Sequence, residues 1–168
     1  FNEAIVLAMA TGKSIYGRSN KYKVTSLSVP FTAIWKKVEI FGDSMPIPTF
    51  GTIGSIPTYA QLQLGMKIIS THQDINRGIV HVEGGGGQWY ANFSNVFLVV
   101  RNCVVSSYSN PQISGINAEN AVQCHFENLV VDTNVYNVWT GEPTHNTYGV
   151  IPPAHDNSAY SIMRNVVI

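Results

Sequence analysis

Charge is scarce in this chain. Asp, Glu, Lys and Arg make up 12% of its 168 residues and cancel to a formal net charge of zero, against about 25% charged residues in an ordinary soluble domain. No basic patch stands out, which argues against a nucleic-acid partner or an acidic membrane surface. No uninterrupted apolar run approaches the roughly 18 residues of a membrane span, and no signal-peptide pattern is present, so membrane insertion is not expected. The two cysteines are too few for a disulfide framework and leave the redox compartment unread. Hydrophobic residues still reach 45%, enough for a sizeable core. The balance is rich in Asn, Ser, Thr and Gly, so the expected surface is polar without being ionic.

One short pattern occurs three times. Ser94 to Val105 reads S-N-V-F-L-V-V-R-N-C-V-V, Asn120 to Val131 reads N-A-V-Q-C-H-F-E-N-L-V-V, and Asn157 to Ile168 reads N-S-A-Y-S-I-M-R-N-V-V-I. In each, apolar positions alternate, a charged residue and an Asn follow, and a second short apolar run closes the copy. Alternation with period two predicts strands, and its recurrence predicts strands stacked one on the next. Asn tolerates the left-handed backbone region best among residues with a side chain. A fixed Asn between two short apolar runs therefore predicts a bend that does not reverse the chain. The copies lie 128 − 102 = 26 and 165 − 128 = 37 residues apart, room for one circuit of short strands and loops. This arithmetic fits an all-β parallel β-helix of about five or six coils; a β-sandwich whose strands share a consensus is the alternative. Aligned on the repeat, Cys103 and Cys124 fall at inward positions on different strands, as buried free thiols.

Ahead of the repeats, apolar residues at Phe1, Ile5, Ala8 and Met9 share one face of a short helix over 1–12, and Gly12 stands where a left-handed C-cap is expected. Such a helix would cap the open first coil. Strands are expected at Lys13 to Gly17, at Tyr22 to Val29 with Tyr22, Val24, Leu27 and Val29 buried, and at Lys36 to Phe41. The Pro/Gly-rich stretch 44–63 reads as a surface excursion. Further strands are expected at Met66 to Ser70 and Ile79 to Val82. The glycines at 84–87 lack a following Gly-Lys-Ser/Thr and read as a flexible loop rather than a phosphate cradle.

The opening helix with K-S-I-Y-G, Y-K-V-T-S-L-S-V and V-E-I-F-G-D-S resembles the entry coil of pectate-lyase-like right-handed β-helices, most closely those of tailed-phage tailspikes and capsule depolymerases. The three later copies resemble that superfamily's coil consensus, with its stacked Asn. The resemblance implies one right-handed β-helix domain, residues 13–168 after the capping helix, with loop insertions at 44–63 and 132–156. It also implies a homotrimer on a virion tail or outside the cell that binds and depolymerises a bacterial capsular or lipopolysaccharide chain. The chain reads as the first coils of something longer, so a catalytic centre beyond Ile168 is compatible with it. The rival readings are a secreted, monomeric, calcium-dependent polysaccharide lyase, and a structural or adhesive β-helix without chemistry. Against the lyase, no cluster of Asp residues beside a strand bend offers a calcium site, and no metal or other cofactor is expected.

The longest insertion, 37 − 26 = 11 residues beyond the shorter repeat spacing, lies between the second and third copies, and solenoids often carry such insertions on their working face. Its aromatics, Tyr136, Trp139 and Tyr148, together with Trp89 and with His145 as a polar partner, are candidates for an oligosaccharide groove, because sugar C–H faces pack on rings; covering apolar loop surface is the plain alternative. Glu142, Asp156 and Asp132 are the carboxylates closest to that loop and the candidates for acid–base or nucleophilic cleavage, which requires two such groups some 5–9.5 Å apart. His145 and His155 form a weak metal signal. Arg101, Glu127 and Arg164 occupy one position in successive copies, as a surface ion ladder or as a grip on an acidic sugar.

Overall fold

The computed structural model describes residues 1–46, 65–70, 78–86, 93–107, 114–132, 137–138, 148–151, 153 and 161–167. Within them lie one helix, α1 (Asn2–Thr11), and twelve strands: β1 (Ile15–Gly17), β2 (Lys21–Val24), β3 (Leu27–Val29), β4 (Lys36–Gly42), β5 (Met66–Ser70), β6 (Val80–Val82), β7 (Ser94–Ser107), β8 (Ile116–Asn117), β9 (Ala121–Asp132), β10 (Asn137–Val138), β11 (Tyr148–Ile151) and β12 (Ile162–Val167). The described residues are all-β apart from α1, and every strand pairing among them is parallel.

Seven strands form one sheet and five form another. The larger sheet has two limbs. In the first, β1, β4 and the leading parts of β7, β9 and β12 lie side by side, with Ile40 beside Val100, Val100 beside Phe126 and Phe126 beside Met163. In the second, β2, β5 and the trailing parts of β7, β9 and β12 do the same, with Ile68 beside Val105 and Val105 beside Val131. The smaller sheet runs β3, β6, β8, β11, β10. The chain thus visits first limb, second limb and smaller sheet in that order, then returns to the first limb one strand further along.

The two limbs of β7, β9 and β12 meet at the repeated asparagine. Asn102, Asn128 and Asn165 have φ of 55°, 49° and 52°, and no other described residue bearing a side chain has positive φ. Their amides form a ladder: Asn165 Nδ2 donates to Asn128 Oδ1 at 3.0 Å, Asn128 Nδ2 to Asn102 Oδ1 at 3.0 Å, and Asn102 Nδ2 to the Gly42 carbonyl at 3.3 Å. The expected stacking of these three residues is what the structure shows. An amide side chain suits this place twice, since it lowers the cost of the left-handed bend and offers one donor and one acceptor to the rungs on either side.

Inward positions from both limbs and the smaller sheet join in one core cluster, among them Leu27, Ile40, Ile68, Leu98, Val105, Ile116, Phe126, Leu129 and Val150. Each such side chain contributes roughly 1.5–3 kcal/mol by leaving water. Cys103 and Cys124 are free and buried in the same cluster, as expected from the repeat, and burial pushes their thiols up to about 12 and about 11. Helix α1 packs on β1, β3 and β4, with Ile5 and Ala8 buried and Gly12 as a left-handed C-cap at φ 71°. The first strand begins at Ile15 rather than Lys13.

Three further expectations change. The strand expected over Tyr22 to Val29 is two, β2 and β3, on different sheets, with Tyr22 and Val24 only partly buried. The stretch 132–156 is not simply a loop insertion, because β10 and β11 lie within it and Val150 belongs to the core. Arg101, Glu127 and Arg164 do share one rung position, but the ladder resolves into two separate pairs: Arg101 reaches back to Glu39, and Arg164 meets Glu127 at 3.6 Å. Most of the 44–63 excursion lies outside the described residues.

Candidate functional site

Outward positions of the first limb alternate with the core positions, so the register fixes which side chains share the outer face. Three rows result. Tyr16, Phe41, Arg101, Glu127 and Arg164 form one; Glu39, Val99, His125 and Ile162 the next; Lys37, Phe97 and Gln123 the third. Trp35, 60% exposed, stands one residue ahead of β4 with the parity of Lys37 and Glu39. The segment leading to it is tied to β7: Thr32 N–H donates to Ser94 Oγ at 3.0 Å, and Asn95 Nδ2 donates to the Ala33 carbonyl at 2.7 Å.

Between these rows lies a cavity of about 250 Å³ lined by Lys37, Glu39, Phe97, Val99, Arg101 and His125. Known ligand pockets start at about 300 Å³ for drug-sized molecules, so this one suits a single small ring. Glu39 is its anchor. The Glu39 side chain is 9% exposed, and it accepts from Ser14 Oγ at 2.6 Å, from Lys37 Nζ at 2.8 Å and from Arg101 Nη2. Burial alone would raise its carboxyl, but the bonds from Lys37, Ser14 and Arg101 outweigh that and hold it down at about 2. A carboxylate so fixed stays ionised at any working pH and cannot serve as a general acid.

Arg101 is fixed on both sides. Its guanidinium lies 5.5 Å from the centroid of Phe41 while one nitrogen engages Glu39, and Phe41 in turn packs on Tyr16 with centroids 5.3 Å apart. The Nε of Arg101 is buried without a hydrogen-bond partner. Across the cavity, His125 Nε2 lies 3.7 Å from Glu127 Oε2. Glu39 and Glu127 are two strands and two residues apart in register, about 12 Å along the backbone at sheet spacing.

Of the residues singled out in the sequence, Trp89, Tyr136, Trp139, Glu142, His145 and Asp156 lie outside the described residues. Asp132 closes β9 and Tyr148 opens β11, which puts their backbones on the larger and smaller sheet respectively. Among the described residues no group of three or more His, Cys, Asp and Glu could hold a metal ion, and no helix is long and apolar enough to cross a membrane. Sequence reasoning passed over Trp35, Lys37, Glu39, Phe97 and His125. The signal that would have found them is the outward parity of the repeat: Phe97 and His125 stand at odd steps between the buried positions of their copies.

No protein-family model matches the chain, and neither does any curated protein or solved structure.

Proposed function

We propose that this chain forms the opening coils of a right-handed parallel β-helix of tailspike type, and that the outer face of its first limb recognises a bacterial surface polysaccharide as part of a homotrimer. The observation that carries this reading is the cavity on a fixed parallel sheet, with Phe97 and Val99 as apolar lining and Lys37, Glu39, Arg101 and His125 as polar groups around them. Sugar rings offer an apolar C–H face and a rim of hydroxyls, which calls for aromatic surface beside convergent donors and acceptors. Trp35 and the Tyr16–Phe41 pair extend ring surface along the same face. The parallel pairing throughout and the asparagine ladder support the β-helix assignment.

Recognition is favoured over cleavage on this face, because Glu39 is engaged by Ser14, Lys37 and Arg101 and held ionised, and so is not free to act as a general acid. The test is binding to a panel of capsular and lipopolysaccharide glycans. Phe97→Ala and Trp35→Ala should each weaken binding of the glycan that the parent chain selects, by about 1–3 kcal/mol for the apolar surface no longer buried against the sugar, with the fold unchanged by circular dichroism. A parent chain that binds none of the panel, or variants that bind as well as the parent, would count against the reading.

A further inference from the structure

Arg101 is only half used. Its Nη2 is committed to Glu39, its Nε is buried with no partner, and an unpaired buried donor of a charged group is among the costlier things a fold retains. Lys37 Nζ has a single carboxylate contact on the same Glu39 and a side chain 53% exposed. Within the cavity lining, Lys37 and Arg101 face one carboxylate, Glu39, with His125 opposite, so the wall carries one more cation than anion. Glu39 therefore acts as an internal occupant that holds the two cations in place and competes for them.

We propose that the sugar ring taken by this cavity carries a carboxylate, and that Arg101 turns from Glu39 to that carboxylate when the ring binds, bringing Nε and a terminal nitrogen onto its two oxygens. The inference rests on the polysaccharide reading and deepens it by naming an acidic sugar. A guanidinium presents two parallel N–H groups to a carboxylate, a geometry that gives the buried Nε its missing partner. Lys37, released in part from Glu39, supplies the second charge. Phe97 and Val99 receive the ring's apolar face.

The experiment is a titration of the full chain with glucuronate, glucose and acetate, read on the Arg101 Nε–H resonance in proton–nitrogen spectra. Glucuronate should move that resonance downfield with saturation, while glucose and acetate at the same concentration move it little. Equal shifts with glucose would overturn the acidic-sugar proposal while leaving saccharide recognition standing. Equal shifts with acetate would overturn it too, since the ring would then contribute nothing. Silence with all three probes, in a chain that binds a glycan of the panel elsewhere, would also overturn it.

Glu39→Gln supplies the sharper arm. If Glu39 competes for Arg101, removing its charge tightens glucuronate binding by about tenfold, the worth of one charge-assisted hydrogen bond. Arg101→Gln should weaken glucuronate binding by at least about tenfold on the same grounds. A Glu39→Gln chain that is folded by circular dichroism yet binds glucuronate more weakly than the parent would overturn the competition. The parent titration needs no variant and decides the matter even where a substitution disturbs folding.

Discussion

The corner between the two limbs of the larger sheet is turned in two different ways. In β7, β9 and β12 the strand passes through it unbroken, with one left-handed asparagine absorbing the bend. In the two earlier passages the strand stops at glycine: β1 ends at Gly17 and β2 begins at Lys21, while β4 ends at Gly42 and β5 begins only at Met66. The asparagine corner admits no additional residues, because each amide must lie within hydrogen-bond reach of the next. The glycine corner can host a loop of any length, since the backbones only need to come close. Gly42 is the joint between the modes. Its carbonyl receives the Asn102 amide, and a Cβ on it would sit 2.2 Å from the Asn102 carbonyl oxygen and 3.0 Å from Met66 Cβ.

The largest expected effect breaks the comparison at that joint. Gly42→Ala forces backbone against backbone, so it should cost about 3 kcal/mol or more, at the upper end of overpacking. Gly17→Ala meets only the thioether end of Met66, with Sδ at 2.4 Å, and an unbranched side chain can move aside; about 1 kcal/mol is expected there. Chemical denaturation of the two variants decides. Equal costs would mean that the glycines are kept for a reason other than the closeness of Asn102.

The second test concerns the ladder itself. Asn128 is its middle member, donating to Asn102 and accepting from Asn165. Asn128→Ala loses both bonds and leaves an alanine at φ near 49°, for about 3–4 kcal/mol when each net hydrogen bond is taken as about 1 kcal/mol and the left-handed residue as about 1–2. Asn165→Ala, more exposed and bonded on one side, should cost about 1 kcal/mol less. Asn128→Gly keeps the bend without the amide and should fall between the parent and Asn128→Ala. If Asn128→Gly melts with the parent, the stacked amides contribute nothing beyond the backbone conformation.

These two corners also account for what could be read from sequence. Asn102, Asn128 and Asn165 recur at one place in a conserved frame of alternating apolar residues within this single chain, so the three-copy pattern exposed the bend, the stacking, the inward cysteines and the core. The first two passages carry glycine at the corner and a long connection after Gly42, so nothing in the pattern aligns Tyr16 and Phe41 with Arg101, or Glu39 with His125. That alignment depends on the register of β1 on β4 and of β4 on β7, which no repeated spacing in the sequence encodes. The site is built from those rows, whereas the repeat spacing singles out the aromatic and acidic residues of the 132–156 stretch. Arg101 was legible as a member of a column, but its partner was not, because the ion pair it makes runs to Glu39 in a passage that the repeat does not cover.

The smallest expected effect separates the neutral corner from the charged face by pH. The carboxyl of Glu39 sits at about 2 in the folded chain, below its ordinary value of 4.5, because hydrogen bonds from Lys37, Ser14 and Arg101 overcome the effect of burial. A group whose folded pKa is depressed contributes stability that is complete above the unfolded value and is lost as the pH falls through the folded one. The window here runs from about 4.5 down to about 2. The parent should therefore be more stable than Glu39→Gln at pH 7, and the two should converge as the pH approaches 2. The amide ladder has no titrating group, so the deficit of Asn128→Ala should stay constant over the same window, which makes it the internal control. Melting curves of the three chains across this range carry the test, and a gap between parent and Glu39→Gln that does not narrow would show that the ion cluster around Arg101 contributes nothing through the charge of Glu39.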